Sequence, residues 1–159
     1  WHETYGLPVN ITRCTNNYGP WQHNEKLIPL TIHRCLHGEK IPVYGDGKNV
    51  RDWIHVSDHC SGIVAVMEKG VSGEVYNIGS NNEWSNIDLV REIIGIISNM
   101  DVNRGVSEDL ISFVPDRPGH DFRYAINPGK IIQELGWAPE VKFEDGLVDT
   151  VRWYIMQQV

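Results

Sequence analysis

The sequence predicts an α/β fold. Short β-type runs alternate with amphipathic helical segments along the 159 residues, the pattern left by strands joined through helices. Gly or Pro punctuates most changes of element. Hydrophobic residues make up 41% and charged residues 22%, a globular mix able to bury one real core.

Trp1–Tyr5 reads as the end of a helix, with Gly6 as its C-cap residue and Pro8 as the stop. The chain lacks an initiator Met, so residues 1–159 are expected to be the C-terminal part of something longer. Val9–Cys14 follows as a β-type run, broken by the turn residues of Thr15–Pro20. Lys26–His37 is helical, with Leu27, Ile28, Leu30, Cys35 and Leu36 as apolar positions and Gly38 as its end. Ile41–Tyr44 is extended, and Pro42 suggests an edge strand. Gly45-Asp46-Gly47 is a turn.

Asp52–Val56 reads as a strand, after which Ser57 caps a helix running through Glu68 with Ile63, Val64 and Met67 on its apolar face. Glu74–Ile78 is a further strand, ended by Gly79. Ser85 and Asp88 resemble a capping box. The helix behind them carries Ile87, Val90, Ile93, Ile94 and Ile97 at helical spacing, a core stripe. Ile111–Val114 and Tyr124–Ile126 are short strands. Pro128 opens a helix that Gly136 ends, and Phe143–Gln157 is a last amphipathic helix.

A formal net charge of -7 argues against a general nucleic-acid binder, which needs a basic face. No apolar run is long enough to span a bilayer as a helix, and no signal-peptide pattern is present. Three cysteines, with no C-x-x-C, fit reduced thiols in a cytoplasmic protein. Any anionic ligand must then be met by local Arg and Lys.

Such groups collect in Asp116-Arg117-Pro118-Gly119-His120-Asp121. Pro118 and Gly119 make it a rigid loop, and the planar Arg fork matches phosphate geometry. By itself the stretch is equally a solvated charged turn. Asn16-Asn17 offers amides suited to sugar hydroxyls or a carboxamide, or is an ordinary turn. Lys26-Leu27 stands at a helix start, which attracts anions, or Lys26 is merely a solvated first-turn residue. Tyr44 and Arg51 could stack on a base and grip a phosphate; otherwise Tyr44 and Trp53 are core aromatics and Arg51 pairs with Asp52 or a neighbour. His33/His37 and His55/His59 have helical ligand spacing, but no further ligands stand at recognisable positions.

Together Thr15–Pro20, Glu25–Pro29, Ile41–Gly45, Val50–Val56, Tyr76–Gly79 and Asp116–Asp121, in that order, resemble the C-terminal part of the dTDP-glucose 4,6-dehydratases. These are extended short-chain dehydrogenase/reductases with a Rossmann-type sheet, and the resemblance runs from Trp1 through Trp153-Tyr154. It implies the small substrate-binding lobe plus a few Rossmann strands, with the NAD-binding lobe lying upstream. It also implies roles, residue by residue. Asn16 would contact sugar or phosphate, and Asn17 the nicotinamide side of NAD. Lys26 and Leu27 would contact the nucleotide sugar, and Pro42, Val43 and Tyr44 would form the base and ribose pocket. Arg51 would hold the diphosphate with Asn86 nearby, and Asp116, Arg117, Pro118, Gly119 and His120 would close over it.

The implied reaction oxidises C4 of dTDP-glucose with NAD, eliminates water across C5 and C6, and returns the hydride to C6. The family's Gly-rich loop, Tyr-x-x-x-Lys pair and acid/base carboxylates are absent from this sequence, so no catalytic residue is expected within it. Homodimerisation is expected of the full-length protein. Without the rest of the Rossmann sheet, the strands at Val9–Cys14 and Val75–Ile78 would lose ladder partners and one apolar cover. Other readings remain open at this level: a UDP-sugar epimerase or dehydratase, a stand-alone nucleotide-sugar binding module without catalysis, or a structural remnant.

Overall fold

One strand divides the molecule into two cores. The computed structural model describes residues 1–100 and 105–157. Strand β4 (Val50–His55) pairs in parallel with β2 (Asn16–Tyr18) along its C-terminal half and with β8 (Arg123–Tyr124) along its N-terminal half. Strand β6 (Glu83–Ser85) pairs antiparallel with Val50–Asp52 on the opposite edge. Two further parallel pairs stand apart: β1 (Ile11–Cys14) with β5 (Val75–Ile78), and β3 (Ile41–Tyr44) with β7 (Ile111–Val114).

Side chains alternate across a strand, so Trp53 and Ile54 enter different cores. On the Trp53 side lie Ile28 and Ile32 of α2 (Leu27–His37), Ile93 and Ile97 of α4 (Asn86–Met100), and Leu147 and Val151 of α6 (Phe143–Gln157). On the Ile54 side lie Val66 of α3 (Val56–Lys69), Tyr76 and Ile78 of β5, and Ile131 and Leu135 of α5 (Gly129–Leu135). The α4 stripe is buried throughout, and each such side chain contributes roughly 1.5–3 kcal/mol. The Cys35 thiol, buried in the first core, has its pKa pushed up to about 12 by desolvation.

Local rules account for most boundaries. Helix α1 (His2–Tyr5) ends at Gly6 in the left-handed region. The box before α4 forms as predicted: the Asp88 N–H donates to Ser85 Oγ at 3.2 Å, and Ser85 Oγ donates to Asp88 Oδ2 at 2.6 Å. Gly47 turns at φ 74°, and a Cβ there would stand 2.7 Å from Ile87 Cβ. That close approach lets the Ile87 N–H donate to Gly47 O and fixes the start of α4.

The structure differs from expectation in several places. Asn16–Tyr18 is a strand, because the ladder with β4 outweighs the turn preference of Asn. The cap of α3 is His55, whose ring accepts from the Ser57 N–H, not Ser57 itself. Val64 and Met67 are 50% and 79% exposed; the buried face of α3 is Asp58, Gly62 and Val66. A side chain at 62 would collide with Ile78, so a glycine allows this face to sit on the sheet. Strand β8 sits one residue earlier than the predicted Tyr124–Ile126, β1 begins at Ile11, and β4 begins at Val50. Pro128 occupies the N-cap of α5, just before the first helical residue. The short polar strand β6 carried no sequence signal. Among the described residues no helix is long and apolar enough to cross a membrane.

Candidate functional site

A cavity of about 620 Å³ opens beside β4. Arg51 and Trp53, two apart on the strand, face the same side, and Asn16 lies opposite Trp53 in the β2 ladder. Residues Pro42, Val43 and Tyr44 of β3 form another wall, and Lys26 and Leu27 bring the start of α2 to it. Asn86, first residue of α4, is fixed there by its N–H donating to Asn49 O. Arg117 and His120 enter from the 116–121 loop.

Arg51 is 8% exposed, yet no carboxylate hydrogen-bonds its guanidinium among the described residues. Its Nη atoms donate to backbone carbonyls: Val50 O at 2.6 Å, Asp121 O at 2.8 Å and Phe122 O at 3.5 Å. Carbonyls orient the cation without neutralising it. Burial lowers its pKa, Asp121 opposes that, and Arg117 adds to it. The alternative of an Arg51–Asp52 pair is not what forms. Asp52 points to the other face, where Oδ1 accepts from the Asn82 N–H at 2.7 Å and the Ser80 hydroxyl at 3.1 Å.

The 116–121 loop is built around its own carboxylate. Asp116 Oδ1 lies 2.7 Å from His120 Nδ1 and accepts from the Arg117 N–H at 2.8 Å. The hydrogen bond from His120 holds the Asp116 carboxyl below its ordinary value. Asp116, Pro118 and Gly119 do not line the cavity themselves; they shape the turn, with Gly119 at φ 70°, that delivers Arg117 and His120.

Asn16 and Asn17 both line the cavity. Asn17 shares the face of Ile54, and its Nδ2 donates to Thr15 O at 3.1 Å and lies 3.4 Å from Cys14 Sγ. Its Oδ1 is buried with no partner.

Sequence reasoning missed Gln22, His23, Glu25, Leu30 and Trp53 as cavity residues. Leu30 carried one usable signal: it lies one helical turn after Leu27. Tyr44 is 46% exposed, whereas Trp53 is buried and belongs to the first core. The histidine pairs gather no further His, Cys, Asp or Glu ligand among the described residues. His33 and His37 stack at 4.2 Å, His55 caps α3, and no metal-binding group of three or more His, Cys, Asp or Glu occurs among the described residues.

The chain is 52% identical over 159 residues to a dTDP-glucose 4,6-dehydratase of Xanthomonas campestris pv. campestris, covering 99% of this chain and 45% of the relative. It is 51% identical over 154 residues to one of Streptomyces niveus, covering 97% and 44%. The chain therefore spans a little under half the length of these relatives. The crystal structure of dTDP-glucose 4,6-dehydratase from Bacillus anthracis in complex with NAD superposes with a TM-score of 0.90 at 52% identity, covering 99% of this chain and 48% of that one. UDP-glucose 4-epimerase of Thermotoga maritima, solved with UDP-glucose, superposes at 0.86 with 28% identity, covering 99% and 49%. The family model described as GDP-mannose 4,6 dehydratase matches residues 1–150, and the chain belongs to that family.

Proposed function

We propose that this chain is the nucleotide-sugar-binding part of an NAD-dependent dTDP-glucose 4,6-dehydratase. The observation that carries the reading is Arg51: a nearly buried guanidinium, oriented by backbone carbonyls and hydrogen-bonded to no carboxylate among the described residues, on the wall of the cavity. Such a group suits a diphosphate. Identity of 51–52% to proteins of that name supports the sugar and the reaction, and the epimerase at 28% is a more distant neighbour.

In this reading Arg51 and Arg117 hold the diphosphate, with Asn86 and His120 beside it. Pro42, Val43 and Tyr44 flank base and ribose, and Lys26 and Leu27 bring the orphan N–H groups of a helix start. Asn16 meets the sugar or the phosphate next to it. Asn17 fits the nicotinamide carboxamide: its Nδ2 is committed to Thr15 O, so the unpartnered Oδ1 is left to accept an N–H. NAD, when bound, supplies the acceptor and later the donor of the hydride. What these residues contribute is binding and orientation; the acid/base groups belong to the rest of the protein, and the chain alone is inactive. The full-length protein is a cytoplasmic homodimer serving deoxysugar biosynthesis.

The test is turnover by the full-length protein. Incubation with dTDP-glucose should yield a 4-keto-6-deoxy sugar nucleotide at a rate UDP-glucose does not match. Epimerisation of UDP-glucose, or no reaction with either sugar nucleotide, would overturn the assignment.

A further inference from the structure

Among the described residues one carboxylate lines the cavity, and it does not suit an anion. Glu25 lies on its wall next to Lys26, in the loop between β2 and α2. That loop is pinned. Gln22 Nε2 donates to Asn17 O at 2.7 Å, and the Tyr154 hydroxyl donates to Gln22 O at 2.8 Å. The Lys26 N–H donates to His23 O at 3.0 Å. The Glu25 N–H donates to His23 Nδ1 at 3.4 Å. His23 Nδ1 stands 3.9 Å from Glu25 Oε2, beyond hydrogen-bond distance. The Glu25 side chain is 87% exposed and has no hydrogen-bond partner among the described residues.

An ionised carboxylate only accepts hydrogen bonds. Against a diphosphate it is repulsive, so in a cavity meant for the nucleotide alone it would weaken binding. A hexose changes that balance, because its hydroxyls are donors. We propose that Glu25 is a specificity-determining residue whose carboxylate accepts hydroxyl hydrogens of the hexose, favouring the sugar nucleotide over the bare nucleoside diphosphate. The proposal rests on the nucleotide-sugar reading of the cavity.

The two roles predict opposite signs for one substitution. In the full-length protein, Glu25→Ala should raise KM for dTDP-glucose about tenfold or more, the size expected on losing a hydrogen bond to a charged acceptor. The inhibition constant of dTDP should stay unchanged or fall, since a repulsive charge has gone. A KM that falls or holds together with the inhibition constant overturns the proposal. A wild-type protein that dTDP does not inhibit at all would bring down the cavity reading itself, an outcome distinct from wild-type inhibition with an unaltered variant KM.

Discussion

The carboxylate of Asp116 lies 2.7 Å from Nδ1 of His120 across one turn of loop. This bond, with the one from the Arg117 N–H, sets the shape of the segment that carries Arg117 and His120 to the cavity. Asp116→Asn should loosen that turn and weaken dTDP binding to the full-length protein several-fold, leaving the melting temperature nearly unchanged because Asp116 is at the surface. The pH dependence has a definite sign. The folded pKa of Asp116 is depressed, so its contribution is complete above the ordinary Asp value of about 3.9 and is lost as pH falls through the lower folded value. Hydrogen exchange of the 116–121 amides across this acid range should show protection lost in the wild type only; equal protection in wild type and variant would contradict the role.

Arg51 offers the sharpest single substitution. Arg51→Ala should weaken diphosphate binding by about 2–4 kcal/mol, as for truncation of one partner of a buried charged pair. Arg51→Lys should recover little of it. An ammonium cannot reproduce the fork that reaches the Asp121 and Phe122 carbonyls and an anion at once. Calorimetric titration with dTDP measures both, and an unchanged affinity in the Ala variant would remove Arg51 from the site.

The pair β1–β5 is a two-stranded parallel sheet whose outer strand is open. Parallel sheets are normally covered on both faces and paired on both sides. Here Ile11 is 55% exposed, and Trp1, Tyr5, Leu7 and Val9 beside it are exposed as well. The 159-residue chain on its own should therefore self-associate, with sedimentation velocity showing species heavier than 18.2 kDa. A sharp monomeric boundary together with a cooperative melt would contradict this.

Much of this architecture was legible in the sequence because it rests on local rules. The Ser85–Asp88 box, the isoleucine stripe of α4 and the helix ends at Gly38 and Gly136 follow from capping and periodicity alone. What escaped depends on partners distant in the chain. Asn16–Tyr18 has turn composition and becomes a strand only against β4. Val64 and Met67 have the right spacing for a core face, but Gly62 is what fits against Ile78. The site divided in the same way. Charged and Gly/Pro motifs marked the 116–121 loop, Arg51 and the start of α2. The Gln22–Glu25 wall is irregular loop, held by Asn17 and by Tyr154 from the far end of the chain, and no spacing rule points to it.

The measurement that bears most directly on the central claim is calorimetric titration of the full-length protein with dTDP and, separately, with UDP. The cavity reading predicts saturable binding of dTDP, tighter than UDP, and its loss in Arg51→Ala. Equal or tighter binding of UDP, or dTDP binding indifferent to Arg51, would contradict it.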